Sequence, residues 1–416
     1  MSNPIYDKIL ENAKLAEACT YGMYPKIMAY NVYKLDGTTI EEKPSIDPTP
    51  EPEPGPGPDP GPEPEPEPVI LEYNITSESE LFAALEEAST NPCEELILNI
   101  NSVFEVTSQV NIPSLPEKVT LHFEEGSSLV GDVDDKFIIN NNNSLHINGY
   151  HGTVYNKNTS KQGNDAILNN PNCTMYIDAK GCTFGASYLY DSNNLQENTV
   201  NRGAAIRNYG ECIIKGGNFT AIDNLYISGG YAYAVINGDG NGLEEANNAS
   251  LTIEPNDAQD VVVFGRMNGC IANNSGYLYV NGGNYNLTPV RNAKNALKNY
   301  YAVWSTNDGQ YTHTQIEAGD FHGSVACVCT GVDDDHQDKG DCAVEINGGF
   351  FIAENNNPAI KVTPTPSQYG IEVSARGGNF STDPTQFLPK EDESGHYEVY
   401  ESGDETYPYG VRYVMN

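Results

Sequence analysis

Residues with catalytic chemistry are few in this chain and scattered. Asp308 and the run Asp333-Asp334-Asp335 are carboxylates of the type that hydrolyse glycosides, a reaction that needs two acids at a set separation. A polygalacturonase-type site would add Gly-His-Gly and Arg-x-Lys, and the chain contains neither. A lyase would set calcium-binding carboxylates beside a basic residue on a neighbouring strand. Arg207, Lys215, Arg266 and Arg376 lie in strand-like segments, yet no spacing ties them to Asp333–Asp335, which sits among Gly331, Asp338 and Gly340 as a solvated loop would. Cys327, Cys329 and Cys342, with His322 and His336, have zinc-ligand chemistry but no familiar zinc spacing. The expectation is no catalytic residue, no metal and no cofactor.

Binding chemistry is better supplied. The chain has 27 tyrosines and one tryptophan, side chains that grip sugars or protein loops at low entropic cost. The loops carrying Tyr188, Tyr190, Tyr300, Tyr301 and Trp304 are the expected ligand contacts. Asparagine runs such as Asn140–Asn143 and Asn355–Asn357 are expected to fill turns, where Asn tolerates left-handed backbone.

What positions these loops is a repeat. Val344-Glu345-Ile346-Asn347-Gly348-Gly349-Phe350-Phe351 is an alternating strand, then a glycine pair, then an aromatic. Ile213–Phe219, Leu278–Tyr285, Ile316–Phe321 and Ile371–Phe380 repeat the phrase; Tyr176–Phe184 and Leu145–Gly149 are weaker copies. Gly181, Gly217, Gly283, Gly319, Gly349 and Gly378 step by 36, 66, 36, 30 and 29 residues. The long step holds two units, its middle supplied by Leu251–Ile253 and Val261–Phe264. A period near thirty means a solenoid, propeller or array. Strand alternation points Val344 with Ile346, and Ile371 with Val373, inward. The glycines admit positive φ at a corner, and the aromatic returns to the core. The expected fold class is all-β: a right-handed parallel β-helix, or solenoid, after a short N-terminal helical anchor and a proline-rich linker.

Four segments follow. Residues 1–47 form an anchor, with a short helix over residues 4–18 and apolar Ile5, Ile9, Tyr24, Ile27 and Tyr30 to be covered by a partner. Residues 48–68 carry proline at every even position and read as a polyproline II linker, at about 3.1 Å per residue reaching at most about 65 Å. Residues 69–390 are the β-helix, capped by a helix that Ser77 and Glu80 open as a capping box. Residues 391–416 are a closing β-hairpin around Ser402-Gly403-Asp404. The net charge of −36 excludes nucleic acid and anionic membrane surfaces as partners. No run approaches the apolar length of a membrane span, and residues 1–8 lack signal-peptide character, so cytoplasmic synthesis is expected. Nine cysteines without paired spacing argue against a disulfide framework; Cys182, Cys212 and Cys270 are expected as small buried residues.

Arg376-Gly377-Gly378-Asn379-Phe380-Ser381-Thr382-Asp383-Pro384, then Phe387-Leu388-Pro389 and the Tyr/Val hairpin, resemble the ending of β-helix surface proteins of gut Firmicutes and their phages. Anchor, proline spacer and variable β-helix together resemble phage head fibres and related virion appendages. The resemblance implies a homotrimer that docks on a capsid or other virion protein through residues 1–47 and displays its β-helix on the particle for weak adhesion to host-surface or mucus glycans. A polysaccharide depolymerase spike and a bacterial surface adhesin are the alternatives.

Overall fold

Alternation within each strand dictates a parallel stack in which like side chains fall on like. The computed structural model describes residues 69–133, 137–156, 165–185, 202–220, 222–223, 233–238, 248–265, 269–287, 301–306, 311–330, 341–354, 357–363 and 370–416. The expected anchor with its helix, Ile5, Ile9, Tyr24, Ile27 and Tyr30, and the linker over residues 48–68 lie outside these residues. The described part is all-β apart from one α-helix and one short 3-10 turn. Its strands form a 19-stranded and a nine-stranded sheet, with a small antiparallel pair.

Three parallel ladders organise these sheets. The first begins with Ile70–Ile75 on Glu95–Ile100 and Lys118–Phe123 and ends with Cys342–Ile346 on Ile371–Ala375. The second begins with Val103–Val106 on Ser128–Gly131 and ends with Phe350–Ala353 on Asn379–Phe380. Several strands serve both. Thr174–Gly185 pairs through its first half with Ser144–Gly149 and through its second with Thr153–Asn156. The third ladder, the nine-stranded sheet, runs from Val110–Asn111 to Ile360–Thr363.

Inward positions make aliphatic columns. In the first ladder Leu98, Leu121, Ile147, Ile177, Ile214 and Ile253 fall in register, all essentially buried. Each such side chain contributes about 1.5–3 kcal/mol by leaving water. The long glycine step holds two repeats as expected, since Gly217 aligns with Val261 and Val262 with Asn284. The aromatics return to the core: Phe219, Tyr285, Phe321, Phe351 and Phe380 are buried. The two glycines of the motif do different work. A Cβ on Gly348 would lie 2.1 Å from the Glu317 carbonyl oxygen of the preceding repeat, and Gly349 has φ +104°. The first glycine permits close approach; the second supplies the left-handed turn.

The ends are closed. The helix Glu78–Ala88, α1, buries Leu81, Ala84, Leu85 and Ala88 against the first repeat. Ser77 accepts from the Glu80 backbone N–H at 3.4 Å. The returning Glu80 carboxylate accepts from the backbone N–H of Thr76, at 2.7 Å, and from its hydroxyl. The reciprocal bond thus falls one residue earlier than a capping box places it, because Thr76 offers two donors. At the other end Gly395–Glu401 and Tyr409–Met415 form the expected hairpin, and Tyr409 and Gly410 also pair antiparallel with Asn379–Phe380. The last edge of the second ladder is therefore occupied.

The asparagines correct one expectation. Asn142 and Asn143 do make the bend between two strands, but Asn140 and Asn141 lie in a strand, and the described non-glycine residues with positive φ are His151 and Asn172. Asn141, Asn169, Asn208, Asn237 and Asn273 instead make a buried column in the third ladder. Each donates its amide to the next at 2.7–2.9 Å. Asn355 and Asn356 lie outside the described residues.

Candidate functional site

Outward positions of the first ladder carry the polar chemistry that the inward columns exclude. Near its start, four strands bring Glu72, Glu95, Lys118, Thr120, His122 and His146 around an open groove over Ile97. Side-chain bonds between strands fix most of these groups. Asn99 donates to Glu72 at 2.8 Å, and the Thr120 hydroxyl donates to Glu95 at 2.7 Å. The Lys118 ammonium meets the same Glu95 oxygen at 2.8 Å. His122 shares a 2.7 Å bond with the Asn148 side-chain Oδ1 and lies 3.6 Å from Glu124. Burial works to raise the Glu95 carboxyl, but the bonds from Lys118 and Thr120 outweigh it and hold it below the usual glutamate range. His146 is lowered, first by burial and then by the Lys118 charge, with Glu95 opposing. Its imidazole is therefore neutral near pH 7, carrying one donor and one acceptor.

Further along the same face stands an aromatic patch. Tyr277 and Tyr311 are 52% and 43% exposed, large apolar rings kept in water. Their centroids are 6.0 Å apart, and both lie near His313, whose Nδ1 is 3.1 Å from the Tyr311 hydroxyl. Tyr277 and His313 are register partners on adjacent strands. Tyr277 is on a strand and Tyr311 directly precedes one, so the ladder keeps the two rings side by side, as a platform for the CH face of a sugar requires.

Of the expected ligand contacts, Tyr188, Tyr190 and Tyr300 lie outside the described residues. Tyr301 and Trp304 lie on Tyr301–Thr306 of the third ladder, away from the groove and the patch. Trp304 stacks on Tyr233, 5.3 Å between centroids, beside a small cluster of Ala204, Ile236 and Ala272 on the outside of that sheet. The groove and the patch were both missed, though their signal was present. In Lys118-x-Thr120-x-His122 and Glu95-x-Ile97-x-Asn99 the polar half of the alternation was there to be aligned.

The residues with catalytic chemistry are spread over the fold. Asp308, Arg266 and Asp333–Asp335 lie outside the described residues. Arg207 is 2.6 Å from the buried Asp165. Burial opposes its charge, and the Asp165 carboxylate outweighs burial and raises the guanidinium above its ordinary value. Arg376 pairs with Glu345 at 2.8 Å, and Lys215 faces Glu254 at 4.0 Å. Cys327 and Cys342 are buried in the interior; burial pushes the Cys327 thiol up to about 12. His322 faces Glu354 at 3.3 Å. Among the described residues no group of three or more His, Cys, Asp or Glu is placed to hold a metal ion, and the seven described cysteines are unbridged, with Cys182, Cys212 and Cys270 buried as expected. Among the described residues no helix is long and apolar enough to cross a membrane. Comparison with protein-family models, with curated proteins and with solved structures gives no match.

Proposed function

We propose that this chain is a parallel β-helix appendage whose rigid face makes weak, repeated contacts with glycans, carried on a larger particle by its first 47 residues. Three ladders in a fixed order, each strand paired with its counterpart one repeat on, support a solenoid. The strong right-handed preference of parallel crossovers gives it its hand. The observation that carries the binding role is the exposed ring pair Tyr277 and Tyr311 beside His313. Such a site is shallow and individually weak, and many copies on one particle would turn it into useful avidity. The proline at every even position of residues 48–68 favours this arrangement, since a sequence of that composition would serve as a semi-rigid spacer. On this reading the layout favours a virion as the particle and a capsid or other virion protein as the anchor's partner, and the resemblance to phage appendages favours a homotrimer.

The experiment is attachment of the full chain, displayed at high density on beads, to immobilised mucin and host-surface glycans. Joint replacement of Tyr277 and Tyr311 by alanine is expected to abolish retention without altering the circular dichroism. Retention equal to wild type would remove the patch from the account, and release of sugar products would replace adhesion by depolymerisation. Deleting residues 1–47 is expected to leave a folded protein that no longer joins particles. Particles still carrying the truncated chain would defeat the anchor.

A further inference from the structure

The groove at the start of the first ladder is chemically unlike the aromatic patch. Most of its outward side chains fall in two parallel rows, with the Glu95–Lys118 pair beside them. Glu72, Ile97, Thr120, His146 and Tyr176 are successive register partners, and so are Asn74, Asn99, His122 and Asn148. Each step along a row is one strand spacing, about 4.8 Å. A linear chain lying along the rows therefore meets a new pair of side chains at every strand, all of them polar but Ile97.

The groups themselves restrict what that chain is. The Asn74, Asn99 and Asn148 amides, the Thr120 hydroxyl and a neutral imidazole each combine donor and acceptor capacity, as vicinal sugar hydroxyls do. The His146 ring lies 5.3 Å from Tyr176, and among the described residues neither of its ring nitrogens makes a hydrogen bond. It is a polar group facing the groove with its bonding capacity unspent. Ile97 supplies an apolar floor for CH groups. The charge balance is negative: the Glu72, Glu95 and Glu124 carboxylates line the groove with Lys118, and Glu95 already holds the Lys118 ammonium at 2.8 Å. An acidic sugar would meet repulsion there without a fresh cation to bind.

We propose that this groove, centred on His146, is a second ligand site that takes an uncharged oligosaccharide and rejects uronic and sialic acid sugars. The inference rests on the reading of this face as a glycan-contact surface, and it names a site and a selectivity that the aromatic patch does not supply.

Saturation-transfer NMR on the full chain tests it, with maltotetraose, mannotetraose, cellotetraose and chitotetraose as neutral probes and tetragalacturonate as the acidic one. Transfer to at least one neutral probe is expected, with none to tetragalacturonate. His146→Ala should weaken the neutral probe about tenfold, as loss of one or two ligand hydrogen bonds does, and His146→Gln, which keeps a donor and an acceptor, should recover part of it. The His146 variants are compared in the Tyr277→Ala, Tyr311→Ala background, where the patch no longer contributes and the groove's share of the binding should remain. Binding that survives His146→Ala, tetragalacturonate bound as well as the neutral probes, or no transfer to any neutral probe overturns the groove. If binding instead disappears with the two tyrosines, the groove falls while the glycan-contact face stands. A wild-type chain that is not retained on immobilised glycans would bring down the face itself.

Discussion

Two interior columns solve one problem with opposite chemistry. In a parallel stack each side chain lies on its counterpart one repeat away, so a buried column must be built from residues that bind their own kind. The third ladder uses asparagine, whose amide is both donor and acceptor. From Asn141 to Asn273 each Nδ2 bonds the next Oδ1, and also a main-chain carbonyl such as Thr174, Glu211 or Ser250. The second ladder uses rings. Tyr285, Phe321, Phe351 and Phe380 stack at 4.6–5.0 Å with their planes within about 11°. The amide column has a direction and needs terminators. Asn143 donates its backbone N–H to Asn141 at one end, and Asn273 donates to the Thr314 hydroxyl at the other, where Ser305 also bonds it. The ring column needs none: Val263 interrupts it between Phe219 and Tyr285. Hydrogen-bonded columns specify register closely and tolerate substitution badly; stacked rings give burial and tolerate gaps.

The sharpest way to break this distinction is Asn208→Leu, a swap of similar size. Asn208 is fully buried, accepts from Asn169 and donates towards Asn237, Gly210 and Ser250. Leucine satisfies none of these, and each buried polar group left unpaired costs about 1–3 kcal/mol. The expected loss is about 3–5 kcal/mol, read from the urea midpoint. Hydrogen exchange should show the opening centred on the third ladder around Ile206–Asn208. A midpoint no lower than that of Phe351→Leu would erase the contrast between the columns.

Next in size is Gly348→Ala, which disturbs the ring column through the backbone. The added Cβ would meet the Glu317 carbonyl oxygen at 2.1 Å, so the corner leading to Phe351 must shift. We expect a loss of about 2–4 kcal/mol in the same titration. Gly403→Ala is the control: its φ is +79° but a Cβ there meets nothing within 4 Å, which leaves about 1 kcal/mol of backbone strain. Equal losses at the two glycines would mean that conformation alone, not close approach between repeats, sets the motif.

The ring column and the glycine corners were legible in the sequence because the motif writes them side by side, strand, Gly-Gly, aromatic. The asparagine column was not, although its spacings of 28, 39, 29 and 36 residues are as regular as the glycines'. Each member follows an aliphatic residue by two, as in Ile139-x-Asn141 and Ile206-x-Asn208. Asparagine's local preference for turns hid a long-range role that exists only once repeats are stacked. The groove stayed hidden for a related reason. Tyrosines in insertions draw attention singly, whereas Glu95, Lys118, Thr120 and His146 acquire meaning only through register between strands, and register needs the alignment of one repeat on the next.

A gentler test of the ring column is Phe351→Leu. Phe351 is fully buried between Phe321 and Phe380, but it forms no hydrogen bond that leucine would orphan. Neighbouring rings can settle into part of the space, and the expected loss is about 1–1.5 kcal/mol. A loss above that of Gly348→Ala would show that stacking, not burial, dominates there.

The smallest change at neutral pH is Tyr285→Phe, which keeps the ring and removes the one bond its hydroxyl donates, to the Gly282 carbonyl oxygen at 2.8 Å. The expected loss is about 0.5–1.5 kcal/mol. Its pH dependence is more telling, because Tyr285 is a titratable member of a column otherwise built of hydrocarbon rings. Burial first, and then the nearby Cys270, hold its phenol well above the ordinary 10.0. The folded state therefore keeps the proton when the unfolded chain gives it up. The stability Tyr285 contributes is full below pH 10 and is lost as pH climbs from there towards the folded value. Over that window the wild type should lose about 1.4 kcal/mol per pH unit relative to Tyr285→Phe, so the variant overtakes it. Urea midpoints that fall in parallel for the two proteins would place the Tyr285 hydroxyl in contact with water and the ring column open at its centre.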